Sequence, residues 1–281
     1  MPDGPSYGSV FLTFARNSLV RDMTFRSNFI IDAVTSLAWM GMNLGFYILV
    51  YQYTPTIGTA DEGPGDPGWG QYQFFVFIAT TVLVNSVVQA FFMPNADEFG
   101  ELIRTGNLDF ALLKPVDTQF LVSLQKIEWS ALSNFIFAGG LLGYSLCNLG
   151  YWPSPVQVVL YPLYVACGIA ILYSLMIVLA SLSVWLGRNQ SLYDFWFYVT
   201  NFSRYPMEIY RGPIGTPLRR FFTFAIPVLI VVNVPARLLA KPLEAQYWPL
   251  AAFALLATLG SLGFSRLIFQ RALASYRSAS S

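Results

Sequence analysis

Residues able to do chemistry are few in this chain and unevenly placed. Its 281 residues contain no histidine, which removes the commonest metal ligand and the side chain best suited to proton transfer near neutrality. That argues from the start against zinc hydrolases, Ser-His-Asp triads and haem sites. Cys147 and Cys167 both fall inside apolar runs and read as small core hydrophobes rather than a disulfide or redox pair. No G-x-x-x-x-G-K-[ST] phosphate loop occurs, and the glycines Gly63, Gly65, Gly68 and Gly70 lack the Lys-Ser/Thr that would follow one. The chain therefore has no P-loop ATP site of its own. Paired carboxylates and Ser/Lys dyads are missing from the apolar stretches, which leaves an intramembrane hydrolase little to work with. Ion-coupled carriers are disfavoured for the same reason, since their relays are charged groups inside the spans.

Two sets of polar residues remain. Thr81, Asn85 and Gln89 stand four residues apart and so share one helical face, with Asn43, Asn134 and Ser174 as possible companions. Such a stripe can hydrogen-bond neighbouring helices, each bond contributing about 0.6 kcal/mol, or it can line a route for an amphiphilic or uncharged solute; the residues leave both open. The second set is the stretch from Asn95 to Trp129, the most charged in the chain.

The elements that must hold these groups follow from composition. With 55% apolar residues, 11% charged, 17% aromatic and a mean hydropathy of +0.52, the surface is not that of a water-soluble protein, whose charged share is about 25%. An all-α polytopic membrane protein is expected. Spans need about 20 apolar helical residues, and windows at 29–53, 71–93, 130–150, 156–186 and 247–269 qualify. A shorter sixth, 218–234, contains Pro227, which either breaks it and turns carbonyls to a cavity or marks a helix end. Residues 1–28 lack the apolar core of a cleaved signal and read as an interfacial segment, residues 29–270 as the six-span unit, and 271–281 as a tail. Alternating sides places fourteen of the sixteen basic residues with the two termini, leaving Arg237 and Lys241 opposite. This predicts cytoplasmic termini.

Phe11, Ala15, Leu19 and Met23 repeat at i+4, so Val10 to Met23 reads as an amphipathic interfacial helix, with Asp22 intruding on its apolar face. Between spans two and three (94–129), a short helix Asp97 to Thr105 is expected to stop at Gly106 in the left-handed conformation. An extended piece, Leu108 to Lys114, follows, and then a helix capped by Asp117 or Thr118 that runs into span three. The segment 187–217, with Phe195, Trp196, Phe197 and Tyr198 before Pro206, Pro213 and Pro217, reads as an interface-hugging helix and a rigid turn. Gly41-x-x-x-Gly45 and Gly139, Gly140 and Gly143 permit close helix approach, within the chain or between copies.

The string NADEFGELIRTGNLDFALLKPVDTQFLVSLQKIEW resembles the inner loop of ABC-2 type exporter permeases, in which a short helix is followed by Gly-x-Leu and a Leu-Leu-x-Pro step into span three. Gly106, Leu108, Leu112, Leu113 and Pro115 match it, and Tyr205-Pro206 through Tyr210, Ile226-Pro227-Val228 and Pro235 are similar to the compact six-span subgroup encoded beside a separate ATPase. The resemblance implies a bacterial inner-membrane permease subunit of an ATP-driven exporter. Its partners would be two copies of a cytoplasmic ATPase, which bind the ATP and Mg, and a second permease, identical or sibling; membrane lipid would surround it, and no nucleic acid is involved. It also implies a coupling helix, for which Asp97, Glu98, Phe99, Glu101, Leu102 and Arg104 are the contact residues expected, with Phe99 and Leu102 as apolar anchors inside a charged rim. Spans one, two and five would line the pathway, making Asn43, Thr81, Asn85 and Gln89 candidates for the solute route. An ATP-independent channel or carrier and a membrane scaffold are the competing readings.

Overall fold

The computed structural model describes residues 6–24, 26–58, 68–186 and 190–276, and the backbone but not the side chains of 190–193. Gly63 and Gly65, named above, and Arg188 and Arg277, two of the basic residues counted above, lie outside the described residues. Every named element is helical. Long apolar helices are α2 (Arg26–Tyr53), α3 (Gln71–Phe91), α7 (Leu132–Asn148), α8 (Pro155–Leu186) and α12 (Trp248–Ser275). These correspond to the five full-length windows within a few residues, although α12 continues six residues past 269 and takes up the start of the expected tail.

The two ends of the bundle differ in what closes them. At one end, α1 (Tyr7–Thr24), α4 (Met93–Thr105), α5 (Leu108–Leu112) and α6 (Thr118–Leu124) gather around the last turns of α8 and α12. Phe99, Leu108, Leu121, Ile177, Ala180 and Phe269 form one buried cluster there, with Phe14 and Tyr276 against it. The first and last described residues therefore lie at this end, called the terminal end below. At the far end the loop after α2 closes on itself, Ile57 and Trp69 exchanging backbone hydrogen bonds of 3.0 and 2.8 Å, and Tyr51 Oη donates to the Trp69 carbonyl at 2.8 Å.

α1 meets the bundle through only the first half of its i+4 repeat, with Ser18 and Asp22 in place of the second half. Tyr7 packs edge-on to Phe120 and Phe11 stacks on Phe91. Ser18 is buried, accepting the Ile127 N–H at 3.0 Å, while Leu19 and Met23 stay exposed. The intruding Asp22 accepts the Trp129 N–H at 3.2 Å. It is a docking residue rather than a flaw in an apolar face.

The largest departure lies between α8 and α12. α8 ends at the terminal end, and α12 starts at the far end, its first turns beside Arg237 and Leu238, so the chain must cross once between Leu186 and Trp248. The expected crossing, 218–234, does not make it. Instead α9 (Gln190–Asn201) and the turns that follow carry the chain across: Met207 N–H donates to Asn233 Oδ1 at 2.8 Å, and Glu208 reaches Trp69 Nε1 at 3.0 Å. From there α10 (Gly212–Arg220), a π turn at Phe221–Ala225 and α11 (Leu229–Ala240) make an elbow bent by 91°. It starts at Arg211, which donates to the Gly58 carbonyl at 2.9 Å. It ends where Gln157 Nε2 donates to the Leu238 and Lys241 carbonyls at 2.8 and 3.0 Å. Both ends of the elbow are thus at the far end, and it dips in and returns.

The break falls at Pro227, which has no N–H to continue a helix, so of the two readings for that residue the interrupted helix holds. α9 correspondingly is the crossing segment, not an interface-hugging helix. Arg211, Arg219 and Arg220 move with the elbow to the far end, and the fourteen-to-two distribution of basic residues is not retained. α11, apolar but for Asn233 and Arg237, is buried apart from the Arg237 side chain, which is 12% exposed, as a helix without a broad polar face must be. It lies so close to α8 that a Cβ on Gly168 would stand 2.5 Å from the Val231 carbonyl oxygen.

Candidate functional site

The charged stretch folds into a platform at the terminal end. Asn95, buried in the first turn of α4, clamps it: Nδ2 donates to the Phe91 and Lys126 carbonyls, both at 2.7 Å, and Oδ1 accepts the Lys126 N–H at 2.8 Å. Lys126 Nζ pairs with Glu98 at 2.6 Å. Gly106, with φ of 74°, ends α4 in the left-handed conformation as expected. After it the chain forms the short helix α5, not the extended piece expected for Leu108 to Lys114. Asp117 is the cap of α6, accepting the Phe120 N–H at 3.1 Å. That helix stops at Leu124 instead of running into α7, and a 3₁₀ turn at Trp129–Ala131 intervenes.

Asp117 has a second task. Arg266 of α12 holds its carboxylate with both terminal nitrogens, at 2.6 and 3.0 Å, and also donates to Gln119 Oε1 at 2.9 Å. The guanidinium keeps the Asp117 carboxyl below its usual range, and this bidentate geometry fixes orientation as well as distance. The platform is therefore tied to α12 by an ion pair and to the start of α7 through Asp22 and Trp129.

Of the residues expected to meet a partner, Phe99 is 1% exposed. Its ring centroid lies 5.7 Å from that of Phe269, and it is a core residue of the platform, not an exposed anchor. Leu102 is half-buried against the same cluster. The reason is legible in spacing: Phe99, Leu102 and Ile103 stand at i, i+3 and i+4, which makes one apolar face, and that face turns inward. Asp97, Glu101 and Arg104 are exposed on the other side of α4, and Glu98 is half-exposed. Arg104 grips Glu101 at 2.6 and 2.9 Å, holding that carboxyl below its usual range.

Apolar surface appears one turn later. In α5, Leu108 and Ala111 are buried at i and i+3, which forces their neighbours outward. Phe110 is 69% and Leu113 81% exposed, with Leu112 beside them and Lys114 and Pro115 next in the chain and exposed. The Leu-Leu-Lys-Pro run carried the signal, since three large apolar residues cannot all follow Leu108 into one small core. The platform thus presents an exposed apolar knob next to Lys114, and on α4 the exposed Asp97, Glu101 and Arg104, with no group placed for bond-making chemistry. Among the described residues, no group of three or more His, Cys, Asp or Glu could hold a metal ion.

The polar stripe is where its spacing places it, on one face of α3. Thr81 and Asn85 are half-exposed and Gln89 exposed, while the adjoining face with Thr80, Val84 and Val88 is buried. Thr81 Oγ1 donates to the Phe77 carbonyl at 2.9 Å. Asn43 is exposed on α2, its amide donating to the Trp39 carbonyl at 2.9 Å on its own helix. Among the described residues no hydrogen bond joins it to the stripe. Asn134 is buried in α7, and Ser174, buried in α8, donates to the Ala170 carbonyl at 2.7 Å; among the described residues no hydrogen bond joins either to the stripe.

The far end holds a buried charged cluster that the spacing of residues did not reveal, because its members are 139 and 29 residues apart. Glu208 accepts Trp69 Nε1–H at 3.0 Å and pairs with Arg237 at 2.6 Å. Arg237 lies over the Tyr247 ring at 3.5 Å and Lys241 over Trp69 at 4.6 Å. These contacts join the first far-end loop, the crossing segment, the elbow and the start of α12.

α2 stands apart from this order. None of its side chains is buried, and Ile30, Val34, Trp39, Met42 and Phe46 are all exposed. Among the described residues nothing within 4 Å would meet a Cβ at Gly41, Gly45, Gly139, Gly140 or Gly143, so these glycines serve no close approach between those residues. No curated protein and no solved structure matches the sequence. Residues 37–280 match the family described as ABC-2 family transporter protein, whose members are the membrane components of transporters with a partner ATPase subunit, and that span takes in α3, the platform, the elbow and α12. This multi-pass membrane protein belongs to the ABC-2 transporter family.

Proposed function

We propose that the chain is the permease subunit of an ATP-driven exporter of amphiphilic, lipidic, peptidic or drug-like solutes, with the terminal end in the cytoplasm of a bacterium. The single observation that carries the coupling role is the exposed knob of Phe110, Leu112 and Leu113, followed by Lys114, on a platform that also exposes Asp97, Glu101 and Arg104. An apolar anchor within a charged rim is the anatomy of a protein docking site. A cytoplasmic ATPase subunit, binding ATP and Mg itself, occupies it, one copy on each of two permeases. Motion of the docked subunit passes through α4 and the Asp117–Arg266 pair into α12.

A second permease, identical or sibling, seats on α2 and the accessible face of α3. This gives Gly41 and Gly45 a neighbour and encloses Asn43, Thr81, Asn85 and Gln89 between the two. Because that face is polar without charge, an amphiphile fits it better than a small ion.

The test is co-purification in mild detergent with ATP hydrolysis assayed in the eluate. Leu113→Asp should leave the permease folded yet reduce recovered ATPase at least about tenfold, the change that about 1.4 kcal/mol of lost docking would produce. Undiminished ATPase recovery in Leu113→Asp would refute the assignment of the knob. Solute transport by vesicles holding this chain alone would replace the exporter with a carrier.

A further inference from the structure

A cavity of about 290 Å³ lies where the elbow bends. Its walls include Ser174 and Leu179 of α8, Phe195 of α9, Pro227 and Val228 at the break, and Phe264 of α12. Ile171 and Ser261 place it about halfway along α8 and α12, roughly 20–24 Å from the far-end start of each helix at 1.5 Å per residue, hence at hydrocarbon depth. None of the lining side chains is charged. Of its two hydroxyls, the buried Ser174 already gives its hydrogen to Ala170, which leaves the half-buried Ser261. A phosphate, an ion or a headgroup finds no charged partner there, and a water needs two to four polar ones. Leu179 and Val228 are buried while Phe195 and Phe264 are exposed, so the mouth opens between α9 and α12 to the surrounding bilayer and not toward the stripe on α3. The volume is about twice the ~150 Å³ in which an apolar cavity takes up a benzene ring.

We propose that this cavity is a binding site for one acyl chain of a bilayer lipid. An apolar void of this size left unfilled is destabilising, and the neighbouring leaflet supplies the filler at effectively solvent concentration. Because Pro227 and Val228 form one wall, the chain props the elbow at its bend, and lipid occupancy sets the stability of that bend. The site needs only the membrane fold and stands whether or not an ATPase docks at the opposite end.

The full chain is reconstituted alone in nanodiscs of phosphatidylethanolamine and phosphatidylglycerol containing a trace of phosphatidylcholine with a diazirine in mid-chain, irradiated, and its adducts mapped. Labelling at 171–179 and 225–228 should exceed that on the lipid-exposed surface of α2 around Trp39 and Phe46 several-fold. A diazirine placed beside the glycerol should lose that excess. Val178→Trp, which fills the cavity, should abolish it while leaving α2 labelled as before, and Leu175→Trp serves if that variant does not fold. Because the chain alone carries no ATPase, adducts formed in this way belong to a resident lipid and not to a solute in transit. Labelling at the bend no denser than on α2, or an excess that survives filling, would overturn the proposal.

Discussion

Phe99 and Leu113 are both large apolar residues in the charged stretch, and tertiary packing gives them opposite roles. Phe99 is enclosed with Phe269, Leu121 and Ile177, so Phe99→Ala should cost about 3–5 kcal/mol of stability at the terminal end and show as a lower thermal midpoint in detergent. Leu113 is exposed, and its substitution should spare that midpoint. The pair separates a core residue from a contact residue in one experiment. Asp117 allows a pH test. Its folded pKa lies below the ordinary 3.8 because Arg266 hydrogen-bonds and attracts it. The stabilisation is therefore present above pH 4 and is lost as pH falls through the folded value. Asp117→Asn should lower stability at neutral pH by up to about 1 kcal/mol, the worth of a part-exposed pair, and the difference from wild type should vanish in strong acid; a difference independent of pH would show that the charge is not what matters.

Among elements, α11 and α2 mark the extremes of burial. α11 is an apolar helix enclosed by α3, α8 and α12, and its closeness to α8 depends on Gly168. Gly168→Ala puts a methyl into the Val231 carbonyl and should destabilise by about 1–3 kcal/mol through overpacking, seen as faster proteolysis in the 205–241 segment. α2 is equally apolar but has few neighbours in the chain. Gly41→Leu with Gly45→Leu should leave the monomer's thermal midpoint unchanged and reduce the dimer fraction in crosslinking; an undisturbed dimer would move the permease contact elsewhere. The charged far-end cluster belongs to this scale too, because Glu208 sits on the crossing segment and Arg237 on the elbow. Removing one partner of such a buried pair leaves the other uncompensated.

At the scale of the whole molecule, the elbow decides the topology. A straight span at 218–234 would put Arg211 and Thr216 on the same side as Arg104, whereas the observed fold puts them on the side of Thr56. With Cys147 and Cys167 replaced by Ser, a membrane-impermeant thiol reagent should label Thr216→Cys and Thr56→Cys from one side and Arg104→Cys from the other. Labelling of Thr216→Cys together with Arg104→Cys would restore the straight span. The distribution of basic residues shifts because hydropathy windows assign the crossing to 218–234. α9, with Asp194, Asn201 and five aromatic residues, is a weaker apolar segment than the one containing Pro227. The crossing therefore went to the segment with the poorer window.

Composition and window length by themselves determined that the chain is helical and membrane-spanning and where its five long helices lie, because the bilayer imposes one length and one backbone solution on every span. The i+4 spacing likewise determined that Thr81, Asn85 and Gln89 share a face, and the glycine at 106 that α4 ends there. Only the tertiary structure decided which face of α4 is turned inward, which glycine admits a neighbouring backbone, and which of two marginal segments crosses. Those outcomes depend on partners far apart in the chain: Phe99 with Phe269, Gly168 with Val231, Glu208 with Trp69 and Arg237. Local periodicity records how a helix is amphipathic, but the identity of what it packs against is a property of the assembled bundle.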